Sequence, residues 1–304
     1  MSIVPSEQFA WMAQSLLEDN VVRLISEAAR STGHRRLAYA GGVASNIKAN
    51  MSVRELPELD DVYVFPHMGD GGIALGAALS VASSRRPQGF DLSDLCLGPR
   101  VGEGDIESAL RSSGLSYEKV PRIERELARR LDRGDVALWF QGRMEYGPRA
   151  LGARSILTRP DRPDIRDRLN LRLKKRVWYQ PFCPSILDEE AGRLLEQGET
   201  CLNRYMTMAY RVRPEARSLL AAVTGPDGTC RPQMVGRDGG RYRRLLEEFK
   251  KLAGVGAVLN TSFNLHGEPI VASPNDAIGV LRASGADVMA MGDYLVTLEK
   301  EESR

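Results

Sequence analysis

The sequence contains no apolar run of the roughly 18 to 20 residues that a membrane-spanning helix requires. Its N-terminal segment also lacks the basic and then apolar order of a secretory signal peptide, because Glu7 and Asp19 fall within it. We therefore predict a cytoplasmic protein with no membrane-embedded part.

The chain is also poor in residues that bind metals or attack substrates. Its 4 cysteines form no CxxC pair, and its 3 histidines do not occur at metal-ligand spacing. These residues are Cys96, Cys183, Cys201, Cys230, His34, His67 and His266. The pattern argues against a zinc site, a disulfide framework and a histidine metal site built from this chain alone. A serine hydrolase has no support either, because no GxSxG motif occurs.

The chain as a whole has little net charge, but one part of it is strongly basic. The 304 residues carry a formal net charge of +2, with 42% hydrophobic and 27% charged residues, which is typical of a globular protein of one large or two ordinary domains. Between Gln141 and Arg176, 11 lysines and arginines accompany 4 acids, which leaves +7 here and −5 elsewhere. This concentration indicates an anionic ligand such as a nucleotide, phosphate or nucleic acid; the alternative is a solvated helix face.

Helical and strand-like segments alternate in the first part of the chain. The predicted helices cover 7–30, 43–55 and 72–83, and the predicted strands cover 37–40 and 61–65. The order implies an α/β segment with two neighbouring parallel strands joined by a crossover helix. Two parallel strands do not form an independent sheet, so we expect further strands from outside this segment.

The rest of the chain has a mixed α+β pattern. Arginine, proline and glycine over 83–102 predict a linker at a domain boundary. Beyond it we predict helices near 105–113, 122–133, 240–253 and 274–284, and strands over 135–141, 155–158, 257–261, 288–291 and 294–298.

A glycine-rich loop with three arginines follows the strand that ends at Gln141. Its sequence, GRMEYGPRALGARS, places Arg143, Arg149 and Arg154 where their guanidinium groups could converge on phosphate oxygens, and Glu145 could orient one of them. The loop lacks the lysine–serine ending of a Walker motif. A structural turn with ion pairs is the alternative.

Two further clusters lie after this loop. Residues 170–182 place cations beside aromatic rings, a mixture typical of nucleic-acid binding, although the near-neutral total charge argues against such a partner. Residues 260–264, with the sequence NTSFN, follow an apolar strand where α/β proteins commonly bind ligands. A hydrogen-bonded Asx or Ser/Thr turn is the alternative there.

The first segment has two candidate sites of its own. At Gly41-Gly42, a strand meets a helix whose N-terminal amides would suit a phosphate or ribose. Asp70 follows the second strand in the sequence HMGDGG and could be a hard-metal ligand or a catalytic carboxylate. Capping of the following helix by Asp70 is the simpler interpretation from local sequence.

The motifs occur in the order of a known family. GGVASN, HMGDGG, GRMEYGPRALGARSIL, LNLRLKKRVWYQPFCPSIL, DGTCRPQ and LNTSFNLHGEPIV together resemble the C-terminal portion of the nodulation-factor and antibiotic O-carbamoyltransferases, over nearly the whole chain. The resemblance implies part of an actin-like ATPase (ribonuclease H-like) domain over 1–84, a linker over 85–102, and a YrdC-like twisted-sheet domain over 103–304.

The resemblance also implies a chemistry and its cofactors. The YrdC-like domain would form carbamoyl-adenylate and pyrophosphate from ATP and carbamoyl phosphate, with Mg²⁺. The actin-like domain would then move the carbamoyl group to a hydroxyl of a natural-product or sugar acceptor, with Fe²⁺ or a similar divalent metal bound.

Site residues follow from the matching motifs. The residues implied to hold the phosphates of ATP and carbamoyl phosphate are Arg143, Arg149, Lys174, Arg176 and Arg231. Those implied to contact the nucleotide or carbamoyl group are Gly41, Gly42, Asn46, Arg154, Asn260, Ser262 and Asn264, and Asp70 is the implied metal ligand.

The chain departs from the family at three motif positions and in its extent. Gly225 stands where the family usually has histidine, Val177 replaces a glutamate and Gln180 replaces an arginine. The N-terminal half of the actin-like domain, with two histidine metal ligands, has no counterpart after Met1. We therefore expect a partner chain to supply that half.

Two other hypotheses remain open at this point. Residues 103–304 could form adenylate or hydrolyse carbamoyl phosphate without a partner. The chain could instead be a non-catalytic nucleotide- or RNA-binding module derived from the family, which the three departures would favour.

Overall fold

The computed structural model of the chain describes residues 5–85 and 92–298. The described residues divide into two compact units, one of 5–85 with 207–209 and one of 92–206 with 210–298. Positions 86–91 of the predicted linker and the last six residues of the predicted second domain lie outside the described residues. None of the described helices is both long enough and apolar enough to cross a membrane.

The first unit contains the alternating helices and strands that the sequence predicts. Its elements are α1 (Ser6–Thr32), β1 (Arg36–Tyr39), α2 (Ile47–Arg54), β2 (Asp61–Val64) and α3 (Ile73–Arg85), with 3-10 turns at Gly42–Ser45 and Asp70–Gly72. The two strands pair in parallel, with Arg36 opposite Asp61 and Tyr39 opposite Val64. The predicted pair of parallel strands is therefore confirmed, and within the described residues of this unit it has no third strand.

Two helices of the first unit leave apolar side chains in solvent. The helix α1 buries Ile25, Ser26 and Ala29, but a different face of it carries exposed Phe9, Met12, Leu16 and Leu24. None of the 13 residues of α3 is buried, although its sequence begins IALGAAL. Helical spacing places Phe9, Met12, Leu16 and Leu24 opposite the buried face of α1. Much of the apolar surface of these two helices therefore contacts no other described residue of the first unit.

The second unit is built on one mixed eight-stranded sheet. Its helices are α4 (Glu103–Ser113), α5 (Ile123–Asp132), α6 (Pro163–Arg168), α7 (Ala191–Leu194), α8 (Gly240–Ala253) and α9 (Pro274–Ser284). Its strands are β3 (Ser116–Lys119), β4 (Ala137–Phe140), β5 (Arg154–Thr158), β6 (Cys183–Leu187), β7 (Tyr210–Arg211), β8 (Thr229–Cys230), β9 (Gln233–Val235), β10 (Ala257–Ser262), β11 (Val288–Met291) and β12 (Tyr294–Thr297).

The strands of the large sheet lie in the order β3-β12-β11-β4-β5-β10-β6-β9. Neighbours are antiparallel except for β11 with β4 and β6 with β9. Every residue of β4, β5 and β6 is buried, so these strands form the core and hold the ends of their connecting loops in fixed positions. The fold of this unit is thus mixed α and β, with one large mixed sheet.

Candidate active site

The glycine-rich loop (Gly142–Ala153) joins β4 to β5 and is held by a buried carboxylate. Glu145, 6% exposed, accepts the backbone N–H groups of Leu151, Ala153 and Arg154 on its Oε1 atom at 2.8 to 3.0 Å. Its other oxygen, Oε2, is buried and has no hydrogen-bond partner among the described residues. The expectation that Glu145 orients an arginine side chain is therefore replaced by a different role, since it folds the backbone of the loop.

The three arginines of this loop diverge in the structure. Arg143 is exposed and donates from Nε to Gly98 O at 2.6 Å, beside a cleft of about 540 Å³. Arg154 is fully buried, donates to the carbonyls of Gln141, Gly142 and Ala153, and covers the ring of Phe140. Burial lowers the pKa of Arg154 to about 10. Arg149 alone turns toward the other predicted cations, and the phosphate-binding roles of Arg143 and Arg154 stay predictions.

Arg149, Arg176 and Arg231 each interact with Cys183, the first two electrostatically and Arg231 by hydrogen bonds; we call these three arginines the arginine cluster. Arg231 donates to Cys183 Sγ from Nε at 3.0 Å and from Nη2 at 2.9 Å. Burial and the charge of Arg231 lower the pKa of Arg149 to about 10, and the pKa of Arg176 is lowered mainly by burial. Like charges gathered in a partly buried place are unfavourable without an anion, so the cluster is suited to bind one.

The orientation of Arg176 is fixed by the chain around it. Its Nε donates to Asn170 Oδ1 at 2.7 Å, and its guanidinium lies 4.4 Å from the ring centroid of Phe182. Asn170, fully buried, in turn donates to the carbonyls of Trp178 and Gln180. The aromatic cluster of the sequence therefore helps to fix one of the cations.

Lys174 is buried and bound to the loop that follows β10. Its Nζ lies 2.6 Å from both Ser262 O and Asn264 Oδ1 and 3.0 Å from Asn264 O. These three acceptors match the three donors of an ammonium group, so Lys174 positions this loop and contributes its charge from a distance. Burial, and secondarily Arg176, lower the pKa of Lys174 to about 7.

The predicted amide and hydroxyl residues take part in internal hydrogen bonds. Asn260, 1% exposed, donates to Ala150 O at 3.0 Å and to Ser185 Oγ at 2.9 Å, while no residue in the described ranges donates to its buried Oδ1. Ser262 donates to Asn264 Oδ1, and Asn264 donates to Glu268 O. The hydrogen bonds within residues 260–264 thus fit the interpretation of this segment as a hydrogen-bonded turn. Contacts of Asn260, Ser262 and Asn264 with a ligand stay predictions.

The basic stretch divides into neutralised and free cations. Arg159, Arg162, Arg166 and Arg168 each form an ion pair with an aspartate. Across residues 5–85 and 92–298, by contrast, no carboxylate pairs with Lys174 or with a member of the arginine cluster. The solvated-face interpretation therefore suits the middle of the stretch, and the anion-binding interpretation suits Arg149, Lys174 and Arg176.

In the first unit, the predicted nucleotide residues Gly41, Gly42 and Asn46 lie between β1 and α2. Gly41 has a φ of 112° and donates its N–H to Met68 O, which joins the two loops. Gly42 is exposed, and a Cβ on either glycine would meet no atom within 4 Å. Asn46 caps α2 by accepting from the N–H groups of Lys48 and Ala49. The open backbone at the two glycines is compatible with a ligand, whose binding stays a prediction.

Asp70 is exposed, and no described residue donates a hydrogen bond to its side chain, so it does not cap α3. In the described ranges, no group of three or more His, Cys, Asp or Glu residues could hold a metal ion. A divalent ion needs more ligands than one carboxylate. The role of Asp70 as a metal ligand therefore stays a prediction.

Sequence reasoning did not single out Cys183, Ser185 or Gln233 as site residues. Cys183 and Ser185 belong to β6, and Gln233 begins β9, two residues after Arg231. All three are buried, and Gln233 donates from Nε2 to Leu151 O at 2.7 Å. The motifs DGTCRPQ and PFCPSIL contain these three residues. Their position within the family motifs is the one feature of the sequence that could have indicated them.

Comparison with family models gives the class of the chain. Residues 128–298 match the family described as Carbamoyltransferase C-terminus, and residues 3–79 match Carbamoyltransferase N-terminus. The chain therefore belongs to the carbamoyltransferase family, whose members are transferase enzymes.

Curated relatives agree with this family. The chain is 40% identical to an uncharacterised protein of Methanocaldococcus jannaschii, over 96% of this chain and 49% of the relative. It is 38% identical to nodulation protein NolO of Bradyrhizobium diazoefficiens, over 93% of this chain and 53% of the relative. Nodulation protein NolNO of Sinorhizobium fredii is 37% identical over 93% of this chain and 43% of the relative. The chain thus spans about half the length of the curated relatives it matches.

Among solved structures, full-length HypF in the phosphate- and nucleotide-bound form gives a TM-score of 0.41 at 18% identity. The match covers 59% of this chain and 22% of the HypF chain. A TM-score of this size is too low to establish a shared fold.

Proposed function

We propose that the chain is the C-terminal component of an O-carbamoyltransferase. Its second unit would form carbamoyl-adenylate from ATP and carbamoyl phosphate. The carbamoyl group would then pass to a hydroxyl of a small natural-product or sugar acceptor, with release of AMP. The observation that carries the proposal is the arginine cluster, which has no carboxylate partner in the described residues.

The charge of the cluster suits the anions of this reaction. One water must cleave carbamoyl phosphate to carbamate and phosphate, after which a carbamate oxygen attacks the α-phosphorus of ATP and pyrophosphate leaves. Arg149, Arg176 and Arg231 would offset the repulsion between these anions and stabilise the charge that develops on the leaving pyrophosphate. Lys174 would hold the loop of Ser262 and Asn264 in place and add a positive charge nearby.

Mg²⁺, when bound with ATP, would neutralise part of the phosphate charge. The roles of this chain's own residues do not depend on its position, because two of the three guanidinium groups are already fixed by protein contacts. Arg176 is held by Asn170 and Phe182, and Arg231 is held against Cys183.

We further propose that a separate chain supplies the rest of the actin-like domain. The support is the unpartnered apolar surface of the first unit: Phe9, Met12, Leu16 and Leu24 are each at least 55% exposed, and α3 buries no residue. Monomeric proteins rarely leave such contiguous apolar surface in water. Gly41, Gly42 and Asn46 would then contact the nucleotide, and Asp70 would be this chain's one ligand in a metal site completed by the partner.

The test of the enzymatic proposal is pyrophosphate release from ATP by the purified chain, measured with and without carbamoyl phosphate. We expect release that depends on carbamoyl phosphate and the appearance of carbamoyl-adenylate by mass spectrometry. Absence of both products, from the chain alone and from its complex with a co-expressed partner, would reject the proposal.

The test of the partner proposal is co-expression with a chain that carries the N-terminal half of the actin-like domain. We expect a stable complex in size-exclusion chromatography, bound divalent metal by elemental analysis, and carbamoyl transfer only by the complex. A Leu16→Lys variant should weaken the complex. Substitution of the exposed Arg111 of the second unit should leave the stability of the complex unchanged. A monomer that carbamoylates an acceptor unaided would contradict the proposal.

A non-catalytic nucleotide- or RNA-binding module is the second candidate. It is favoured by Trp178 and Tyr179, which are 58% and 61% exposed beside the basic residues and present their rings to solvent. Bases stack on such rings. RNA binding with a steep salt dependence, combined with no ATP turnover, would support this function over the enzymatic one.

A further inference from the structure

Three successive peptide units of the glycine-rich loop, directly after Arg149, are each held by side chains from elsewhere in the sheet. Ala150 O accepts from Asn260 Nδ2 at 3.0 Å, and the N–H of Leu151 donates to Glu145. Leu151 O accepts from Gln233 Nε2 at 2.7 Å.

The third unit is held in the same way. Gly152 O accepts from Trp139 Nε1 at 2.8 Å, and the N–H of Ala153 donates to Glu145 Oε1 at 2.8 Å. A Cβ on Gly152 would lie 2.2 Å from Tyr242 Cδ1, so this part of the loop also packs tightly against α8. The backbone that carries Arg149 is therefore fixed by hydrogen bonds and by packing.

Gln233 is itself held by a chain of hydrogen bonds in which each residue donates to the next. Asn260 Nδ2 donates to Ser185 Oγ at 2.9 Å, and Ser185 Oγ donates to Gln233 Oε1 at 2.7 Å. Because the amide oxygen of Gln233 is used by Ser185, its Nε2 must face the loop and donate to Leu151 O. Ser185, Gln233 and Asn260 are all at least nine-tenths buried, so water does not compete for these bonds.

We propose that Gln233 and Ser185 are positioning residues for the anion-binding site and set the place of Arg149 through the Leu151 carbonyl. This inference rests on the proposed function for the identity of the anions. In this role both side chains act through Arg149 and need no contact of their own with the substrate. They fix the distance between the guanidinium group of Arg149 and those of Arg176 and Arg231. One polyanion can contact all three arginines only if this distance matches the spacing of its oxygens.

The test uses pyrophosphate as the probe and its dissociation constant, measured by isothermal titration calorimetry on the full chain. Gln233→Met has a similar length but cannot donate to Leu151 O. We expect it to bind pyrophosphate about tenfold more weakly than the wild type, since one positioning hydrogen bond is lost. Thr158→Val is the matched control: Thr158 is fully buried on β5 and donates to Asp135 O, so its loss affects stability but not pyrophosphate binding.

A second variant distinguishes positioning from a general loss of structure. In Gln233→Glu, the introduced carboxylate repels the Leu151 carbonyl at pH 8, but at pH 5.5 the protonated form, which burial favours, can donate a hydrogen bond again. We expect the ratio of variant to wild-type affinity to be low at pH 8 and to recover toward 1 at pH 5.5. Gln233→Met should show no such recovery.

The outcomes separate this inference from the proposed function. Gln233→Met binding as tightly as the wild type, or Gln233→Glu showing a pH-independent ratio, would overturn the positioning role. If the wild type binds pyrophosphate with the expected dependence on Gln233 but forms no carbamoyl-adenylate, the proposed reaction fails and the positioning role stands.

Discussion

Arg231 donates two hydrogen bonds to a sulfur atom, the Sγ of Cys183, rather than to a carboxylate. A carboxylate at this place would permanently offset part of the positive charge of the cluster. A thiol orients the guanidinium while leaving most of its charge available to a ligand. Substitution of Cys183 therefore tests whether the positive charge of the arginine cluster binds the anion.

Cys183→Asp should abolish carbamoyl-phosphate-dependent pyrophosphate release while keeping or raising stability. The new carboxylate would pair with Arg231 and lower the net positive charge that Arg149, Arg176 and Arg231 offer to a ligand. We expect kcat/KM to fall by more than about 100-fold, with no loss in the free energy of unfolding. Cys183→Asn has the same shape without the charge and should keep activity within about tenfold. Equal losses in the two variants would contradict a charge-based role.

Arg149→Ala should reduce kcat/KM for adenylate formation by at least about 100-fold, because a charge that stabilises the leaving pyrophosphate is lost. Its stability should not fall, since a partly buried cation beside Arg231 is removed. Arg162→Ala is the control from the same basic stretch: this arginine is exposed and paired with Asp164. A steady-state pyrophosphate assay measures both. Similar rates for the wild type and Arg149→Ala would exclude Arg149 from the site.

Gly152→Ala should destabilise the second unit by more than about 3 kcal/mol. Its φ is 106°, and the added Cβ would meet the ring of Tyr242 at 2.2 Å. Gly285→Ala is the matched control, because its φ is 67° and no atom lies within 4 Å of the added Cβ, so only backbone strain of about 1 kcal/mol remains. Urea unfolding measures both, and equal losses would show that contact with Tyr242 is unimportant.

The stability difference between the wild type and Lys174→Met should change with pH. The pKa of Lys174 is lowered to about 7 in the folded protein, from its ordinary value of 10.5. Below pH 7 both folded and unfolded forms are protonated, and the cost of burying the charge is complete. Between pH 7 and 10 the folded form loses its proton first, so the wild type gains stability relative to the variant.

The expected slope is at most about 1.4 kcal/mol per pH unit. Chemical unfolding of both proteins at pH 6, 8 and 9.5 measures it. A difference that is constant over this range would mean that Lys174 keeps its proton, held by the Ser262 and Asn264 oxygens.

The sequence predicts the regular elements of this protein well where periodicity is strong. The parallel pair β1–β2 and the helices α4, α5, α8 and α9 lie close to their expected residues. The strand β6 was not predicted, because Pro184 and Ser185 interrupt its apolar pattern, yet it lies between β10 and β9 inside the sheet. Tertiary packing decides the conformation there, since a proline is tolerated in a strand only where its missing N–H is not needed.

The site was predicted less completely than the fold. The motifs identified Arg149, Lys174, Arg176 and Arg231, and the structure gathers these cations near Cys183 and the loop after β10. Sequence spacing could not show that Arg143 and Arg154 turn away from Arg149. That outcome depends on backbone carbonyls that become available only when the loop is folded, such as those of Gly98 and Gln141.

The bonding of Glu145 has a consequence for the timescale of motion in the glycine-rich loop. The N–H groups of Leu151, Ala153 and Arg154 all donate to one buried carboxylate oxygen, so none of them can exchange with solvent hydrogen unless the loop opens. These amides should exchange as slowly as those of the strand β5 itself. In kinetic terms, the segment that carries Arg149 is then a rigid extension of the sheet and not a lid that opens and closes in each catalytic cycle.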